Sequence, residues 1–305
     1  MKIWVTGAQG LLGTELVKLL KETYPESQIL APTRGQVDLL NKLETQMFVQ
    51  SNKPTHVYHL AATVMGLGGH LKFPDKSKLE NSKIDTNVFE ALFHAPPKWI
   101  YYSSSVATYG YPYNSLPLKE VDWLKGNPHE GEIGYAMAKR AAKYYLDRLH
   151  KDAGVAYSYG LTTNLFGDLD RFQGGNGHVI VSLLNNAIKA KRDRTMLRPW
   201  GAQDTTRDFI YSRDAAEMLV ALLGINAGVI NIASGREVSI GKVVEVIANT
   251  LDLDKGYEFS GELQGIRTRY CDISKLSVNV QFSKFSLLPV EVYVANFLEK
   301  NFLNL

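Results

Sequence analysis

Cysteine is almost missing: Cys271 stands alone in 305 residues. A single thiol excludes an intramolecular disulfide framework and fits a reducing compartment, so the cytoplasm is the expected location. Long apolar runs are missing too. No stretch of about 18 apolar residues occurs, so no membrane-spanning helix is expected. The opening residues, MKIWVTGAQG, reach glycine too early for the apolar core of a signal peptide. Net charge is small: 34 Lys and Arg against 31 Asp and Glu leave +3. That is too little to argue for nucleic acid, though compatible with a modest anionic ligand. The 7 histidines are scattered and no Cys/His cluster occurs, so no metal site is expected. His56 and His59 are close in sequence, but an odd spacing along a strand points them to opposite faces. They read as packing or cofactor-edge residues. No internal repeat or low-complexity tract interrupts the chain.

What is there alternates. KIWVT, QILAP, HVYHLAA, KWIYYSS and AYSYGLTTNLFG read as strands or strands with their exit loops. Between them lie GLLGTELVKLLKETY, NKLETQMFVQSN, NSKIDTNVFEALFHA and YAMAKRAAKYYLDRLHKDAG, with helical spacing. Strands alternating with helices predict an α/β fold with a doubly wound, Rossmann-like parallel sheet. After Gly167 the pattern changes. A loop-rich stretch opens the helix HVIVSLLNNAIKAK, and RDFIYSRDAAEMLVALL reads as a return to the sheet domain. The expected division is a dinucleotide-binding domain over 1–166 plus about 205–228. A smaller mixed α/β substrate-binding lobe over 167–204 and 229–305 would close the cleft beyond the strand C-termini.

TGAQGLLG sits directly between the first strand and the first helix, with Gly7, Gly10 and Gly13 spaced G-x-x-G-x-x-G. Glycines permit a tight turn and close approach to a pyrophosphate, which the helix N-terminus favours electrostatically. The alternative is a plain tight turn. About twenty residues on, where an acid would meet a free ribose 2′-hydroxyl, the chain reads Ala31-Pro32-Thr33-Arg34. An arginine suits a 2′-phosphate, which favours NADPH over NADH. Arg34 as a solvated loop residue is the alternative. Asp38, slightly later, is placed to meet the adenine amine.

YYSSSVATYG carries three serines, and GYAMAKR follows thirty residues later. Tyr135 and Lys139 are four apart on a predicted helix and share one face. A tyrosine with a pKa of about 10 needs help of roughly 3 units, or about 4 kcal/mol, to exchange a proton near neutrality. A neighbouring ammonium and an oxidised nicotinamide ring supply much of that. A serine hydroxyl then holds the carbonyl oxygen. Tyr135 reads as general acid, Lys139 as its tuner and Ser105 as the oxygen-orienting group. A tyrosine–lysine pair of this spacing is common on surface helices. The combination with the glycine turn and a serine-rich strand end is what gives it weight.

Together TGAQGLLG, YHLAA, NSKIDTN, YYSSSVATYG, GYAMAK and RDFIYSRD resemble the extended short-chain dehydrogenase/reductases of the nucleotide-sugar epimerase/dehydratase type. TTNLFG, NGHVI, PWGAQDTTRDFIYSRDAA and RTRYCDISKL are most similar to GDP-L-fucose synthases. The resemblance selects Ser105 among the serines. It implies a dinucleotide site of Gly7, Gln9, Gly10, Leu11, Gly13, Arg34, Asp38, Leu39, Ala61, Ala62 and Lys139. It implies that Asn164, His178, Val179 and Trp200 border the sugar, and that Arg207 and Arg269 meet the diphosphate or sugar hydroxyls. The alternatives are solvated arginines and a capping or packing histidine.

GDP-L-fucose synthases epimerise two carbons beside a 4-keto group and then reduce the ketone. The family uses a cysteine two residues beyond the serine and a histidine on the HVI helix. Here the histidine is His178, but the cysteine place is Ala107. A methyl group transfers no proton, and the hydroxyl of Thr108 is a poor base. The expected activity is therefore NADPH-dependent C4 reduction of a GDP-linked 4-keto hexose or heptose, as in cell-surface polysaccharide synthesis, with a separate 3,5-epimerase upstream. The rival readings are a bifunctional epimerase/reductase and a non-catalytic dinucleotide-binding regulator. Apolar residues on more than one stripe of the two central helices, including Ala141, Tyr144, Tyr145 and Leu149, suggest a homodimer. In the resembling family these helices pair as a four-helix bundle; a broad internal face is the alternative.

Overall fold

The computed structural model describes residues 1–64, 74–168, 170, 179–261, 265–281 and 285–302. Its centre is a six-stranded parallel sheet, ordered β2-β1-β3-β4-β5-β9. The strands are β1 (Lys2–Thr6), β2 (Gln28–Leu30), β3 (His56–His59), β4 (Trp99–Ser105), β5 (Ala156–Thr162) and β9 (Gly228–Ile232). Their near-continuous apolar character suits a sheet covered on both faces. The pleat then divides the side chains. Ile3 and Val5 face α1 (Leu11–Thr23) and α6 (Ser212–Ala221), whereas Trp4 faces α2 (Lys42–Asn52) and α3 (Pro74–His94). The long helix α4 (Ile133–Ala153) packs beside α3 on that second face.

The chain leaves β1 for β2 on one side, then returns to place β3 on the other. That reversal opens a crevice beyond the C-terminal ends of β1 and β3, where ligands of such sheets sit. A smaller apolar cluster joins α5 (Val179–Asp193), α7 (Ile240–Thr250) and α9 (Val290–Phe302). Two small sheets border it. One is β6 (Asn164–Phe166) with β8 (Phe209–Tyr211); the other is β10 (Val238–Ser239), β7 (Thr206–Arg207) and β11 (Thr268–Arg269). Among the described residues no helix is long and apolar enough to cross a membrane.

Three elements differ from the sequence reading. Residues 229–232, expected in the smaller lobe, form most of β9 and pair with β5 in the large sheet. Ile230 and Ile232 of this strand join the apolar core, and α8 (Ser274–Val280) covers that face through Leu276 and Val280. The exit loop expected after AYSYGLT holds a strand of its own: the chain breaks at Thr163, and Asn164–Phe166 pairs with β8. Of the residues expected to form an outer helix stripe, Tyr145 and Leu149 turn inward. Leu149 is buried, and Tyr145 stacks on Phe89 with ring centroids 5.1 Å apart.

One buried carboxylate ties the sheets together. Asp208, between β7 and β8, accepts from Ser234 N (3.0 Å), Ser234 Oγ (2.7 Å), Gly235 N (3.0 Å) and Cys271 N (3.3 Å). Burial pushes its pKa up to about 6, against the pull of those donors. Replacing it by alanine strands several buried amides at once. We expect Asp208→Ala to cost about 3 kcal/mol or more. Urea unfolding checks this; an unchanged midpoint would mean the amides find other partners.

Candidate active site

The glycine turn is shaped by close approach. Gly7 has φ +66°, and a Cβ there would lie 2.9 Å from Ala61 N. A Cβ on Gly13 would lie 2.2 Å from the Gly7 carbonyl oxygen. Neither position admits a side chain without backbone movement. Gly10 precedes α1 and donates its amide to Gly7 O at 2.9 Å; Leu11 opens the helix. Thr6 Oγ1 accepts from Leu60 N (3.1 Å) and Ala61 N (3.0 Å), which fixes the exit of β3 and the following Ala62 beside the turn. Gln9 is exposed and reaches Ala31 O at 3.4 Å. Arg34 is solvent-facing, with Nε 3.6 Å from Asp38 Oδ1. Asp38 also accepts from Leu40 N at 3.1 Å, and the Leu39 carbonyl accepts from Asn87 Nδ2 at 2.8 Å. Asp38 is thus engaged by its own loop.

At the end of β4 the pleat separates the serines. Ser104 points into the core and donates to Tyr159 OH at 2.9 Å. Ser105 closes the strand on the opposite face, and its Oγ accepts from Ala107 N at 3.1 Å. That bond uses a lone pair and leaves the hydroxyl proton for another acceptor. A single 3₁₀ turn, Val106–Thr108, follows and packs against α4. Ala107 is buried in it. Thr108 donates to Ser105 O at 2.6 Å and accepts from Trp123 Nε1 at 2.8 Å, so its hydroxyl is committed. Arg140 clamps this loop, donating to Thr108 O (2.8 Å), Gly126 O (2.9 Å) and Trp123 O (3.2 Å).

Tyr135 and Lys139 are both buried on α4. Lys139 is 1% exposed, and its Nζ has no hydrogen-bond partner among the described residues. The ammonium stands 4.6 Å above the centroid of Tyr102. Burial lowers its pKa, and the charge of Asp85 opposes that. Burial also pushes the Tyr135 phenol well up, with Asp85 and Glu132 adding to the rise.

The remaining residues form a chain around this centre. Ser105 is the register partner of Thr162 on β5. Two residues on, Asn164 Nδ2 donates to Asp208 O at 3.0 Å. Arg207 precedes Asp208 and is the register partner of Arg269 across β7 and β11. Arg207 Nη1 donates to the carbonyls of Thr206 (2.7 Å) and Arg267 (3.2 Å). Burial and then Arg269 lower its pKa to about 10. Arg269 is buried and forms a bidentate pair with Glu132, the residue before α4; its Nε donates to Tyr113 OH at 2.7 Å. Burial would lower the Arg269 pKa, but Glu132 and Tyr113 raise it overall. Val179 starts α5 half-buried, Trp200 stands in solvent at 61% exposure, and His178 lies outside the described residues.

Sequence reasoning missed Glu132, Tyr113, Arg140 and Asp85. Glu132 carried a signal, since it lies one helical turn before Tyr135. Asp85 carried another: it falls on the apolar stripe of α3 that continues through Val88, Phe89 and Leu92. Arg140 and Tyr113 act through loop geometry and left no periodic trace.

The Glu132–Arg269 pair sets a pH dependence. Burial raises the Glu132 pKa, but Arg269 outweighs it, so the folded value lies below the ordinary 4.5. Its stabilisation is complete above the unfolded value and is lost as pH falls through the depressed folded one. Glu132→Gln leaves the Arg269 charge buried without its carboxylate. We expect a cost of about 3 kcal/mol at pH 7, shrinking as the pH drops below about 4. Denaturation of both proteins across that range checks it; a pH-independent difference would contradict the pairing.

Comparison with known proteins adds the wider context. The chain is 29% identical over 253 residues to a GDP-L-fucose synthase from Sinorhizobium fredii, covering 82% of this chain and 80% of the relative. It is 24% identical over 283 residues to a GDP-L-colitose synthase from Yersinia pseudotuberculosis, covering 91% of each. A GDP-mannoheptose C4 reductase from Campylobacter jejuni, solved with NADP bound, superposes with a TM-score of 0.84 at 22% identity, covering 98% of this chain and 97% of that one. The NAD dependent epimerase/dehydratase family matches residues 3–233, and with the parallel sheet, the glycine turn and the buried tyrosine–lysine helix in place, the chain belongs to that family.

Proposed function

We propose that the chain is an NADPH-dependent reductase acting at C4 of a GDP-linked 4-keto sugar, a 6-deoxyhexose or a heptose. The observation that carries this reading is Lys139: a fully buried ammonium with no hydrogen-bond partner among the described residues, one helical turn from Tyr135. A dinucleotide fits the residues present. Gly7 and Gly13 exclude side chains from the turn, Arg34 offers a solvent-facing guanidinium after β2, and Lys139 offers donors to ribose hydroxyls. GDP-sugar chemistry is supported by the names of the relatives and by arginines close to the sheet ends.

When bound, NADPH supplies a hydride to the ketone carbon. Tyr135 donates its proton to the oxygen that becomes the alcohol. Ser105 holds that oxygen with its free hydroxyl proton. Lys139 lowers the cost of the tyrosinate that remains. Arg207 has no carboxylate partner among the described residues and stays cationic at neutral pH, so it is the better candidate for the diphosphate. Arg269, neutralised by Glu132, serves as a hydrogen-bonding frame. Asn164 and His178 are assigned to the sugar.

The reading excludes epimerisation because Ala107 carries no proton-transfer group and the Thr108 hydroxyl is committed on both sides. A separate 3,5-epimerase then acts upstream. A bifunctional epimerase/reductase is the second reading, favoured by the GDP-L-fucose synthase relatives. We also infer a homodimer through α3 and α4, two packed helices on which Leu79, Met137, Ala141 and Tyr144 remain exposed.

Two experiments test this. Tyr135→Phe should lower kcat by about a hundredfold or more while leaving NADPH affinity within about threefold; full turnover without the hydroxyl would remove Tyr135 from the mechanism. Incubation with NADPH and GDP-4-keto-6-deoxymannose in heavy water, followed by mass analysis, should give reduced product without deuterium at C3 or C5. Deuterium at either carbon would establish the bifunctional reading instead.

A further inference from the structure

We propose that Asp85 is a positioning residue for Lys139: its carboxylate, fixed by Tyr102 and His59, is the buried negative charge that seats the lysine ammonium on the Tyr102 ring and couples that seat to the strand ends beneath the glycine turn. The inference rests on the roles given above to Tyr135 and Lys139.

A continuous set of hydrogen bonds carries it. Thr6 Oγ1 accepts the amides of Leu60 and Ala61, so its own proton is left to donate to His59 Nδ1 at 2.7 Å. His59 Nε2 must then bear the ring's single N–H proton, which it donates to Asp85 Oδ1 at 3.0 Å. Tyr102 OH donates to Asp85 Oδ2 at 2.6 Å. The same Tyr102 ring lies beneath Lys139 Nζ at 4.6 Å. His59 is 0% exposed and Asp85 2% exposed, so water does not compete.

Charge bookkeeping inside this cluster is simple. Hydrogen bonding assigns His59 as neutral, and burial lowers its pKa despite the opposing pull of Asp85. That leaves one carboxylate on α3 and one ammonium on α4. The other titratable groups facing Asp85 are Tyr102 on β4, Tyr159 on β5 and Tyr135 on α4, whose phenols burial and Asp85 both push upward. Helix α2, which also packs on α3, sends Lys42 to Glu90 at 2.7 Å rather than to Asp85. Removing the charge of Asp85 therefore lowers the pKa of Lys139 and of Tyr135 together.

The test compares the full chain with Asp85→Asn, an isosteric change. Both proteins carry ¹³Cε-labelled lysine, with the Lys139 resonance identified by its loss in Lys139→Met. The Lys139 titration midpoint should fall by about one pH unit in Asp85→Asn. The alkaline limb of kcat for sugar reduction should move the same way, which a merely destabilised protein would not show. A midpoint and limb that stay in place overturn the proposal. If Asp85→Asn does not fold, Tyr102→Phe keeps the ring but frees the carboxylate, and should move the midpoint down by a smaller step; no movement there overturns it equally. The resonance titrates without substrate. A wild-type protein that reduces no GDP-4-keto sugar would sink the reductase reading and leave this result standing.

Discussion

Taking the ammonium of Lys139 out of water is the constraint around which the sheet face and its helices are arranged. An isolated buried charge costs several kcal/mol even after relaxation. What compensates here is the face of Tyr102, worth about 2 kcal/mol or more when desolvated, and a carboxylate reached through that ring's hydroxyl. The ring must hold still for this to work. It is stacked on Tyr159 at 5.3 Å and packed against Phe89 and His59. A parallel sheet provides the frame, because His59, Tyr102 and Tyr159 are register neighbours on three consecutive strands.

The two carboxylates nearest Tyr135 act in the same direction. Asp85 lies on α3 and Glu132 at the start of α4, and both disfavour the tyrosinate. Without a cationic neighbour the phenol would hold its proton firmly. That bias suits the proton-donor role proposed for Tyr135, in which Lys139 offsets the cost of the charge left behind. Glu132 has a second effect: it cancels one of two adjacent arginines, so β7 and β11 present less positive charge than their sequence implies. Close like charges at Arg207 and Arg269 would otherwise repel at the edge of the site.

The loop after β4 is held by hydrogen bonds that commit its polar groups. Arg140 holds three carbonyls of the loop against α4, and Trp123 occupies the acceptor side of Thr108. With those bonds in place, Ala107 faces a rigid, already satisfied environment.

Much of this was legible from residues alone. The strand–glycine–helix opening, the alternation of elements, and the placement of Tyr135 and Lys139 on one helical face all follow from local periodicity and turn chemistry. The choice among the three serines followed from resemblance; the pleat sets only Ser104 apart, turning it into the core, and leaves Ser103 and Ser105 on the same face. Tertiary structure alone decided the rest. GVINI became the sheet edge because β5 offered an unpaired side, which no local pattern records. Tyr145 turned inward because α3 presented Phe89 to it, and Leu149 because the core beneath the helix had room for it. Asp85, Glu132 and Arg140 acquired roles through partners 17, 137 and 32 residues away. Long-range pairing of polar groups leaves no period in a sequence, since burial and charge are properties of what the fold brings together.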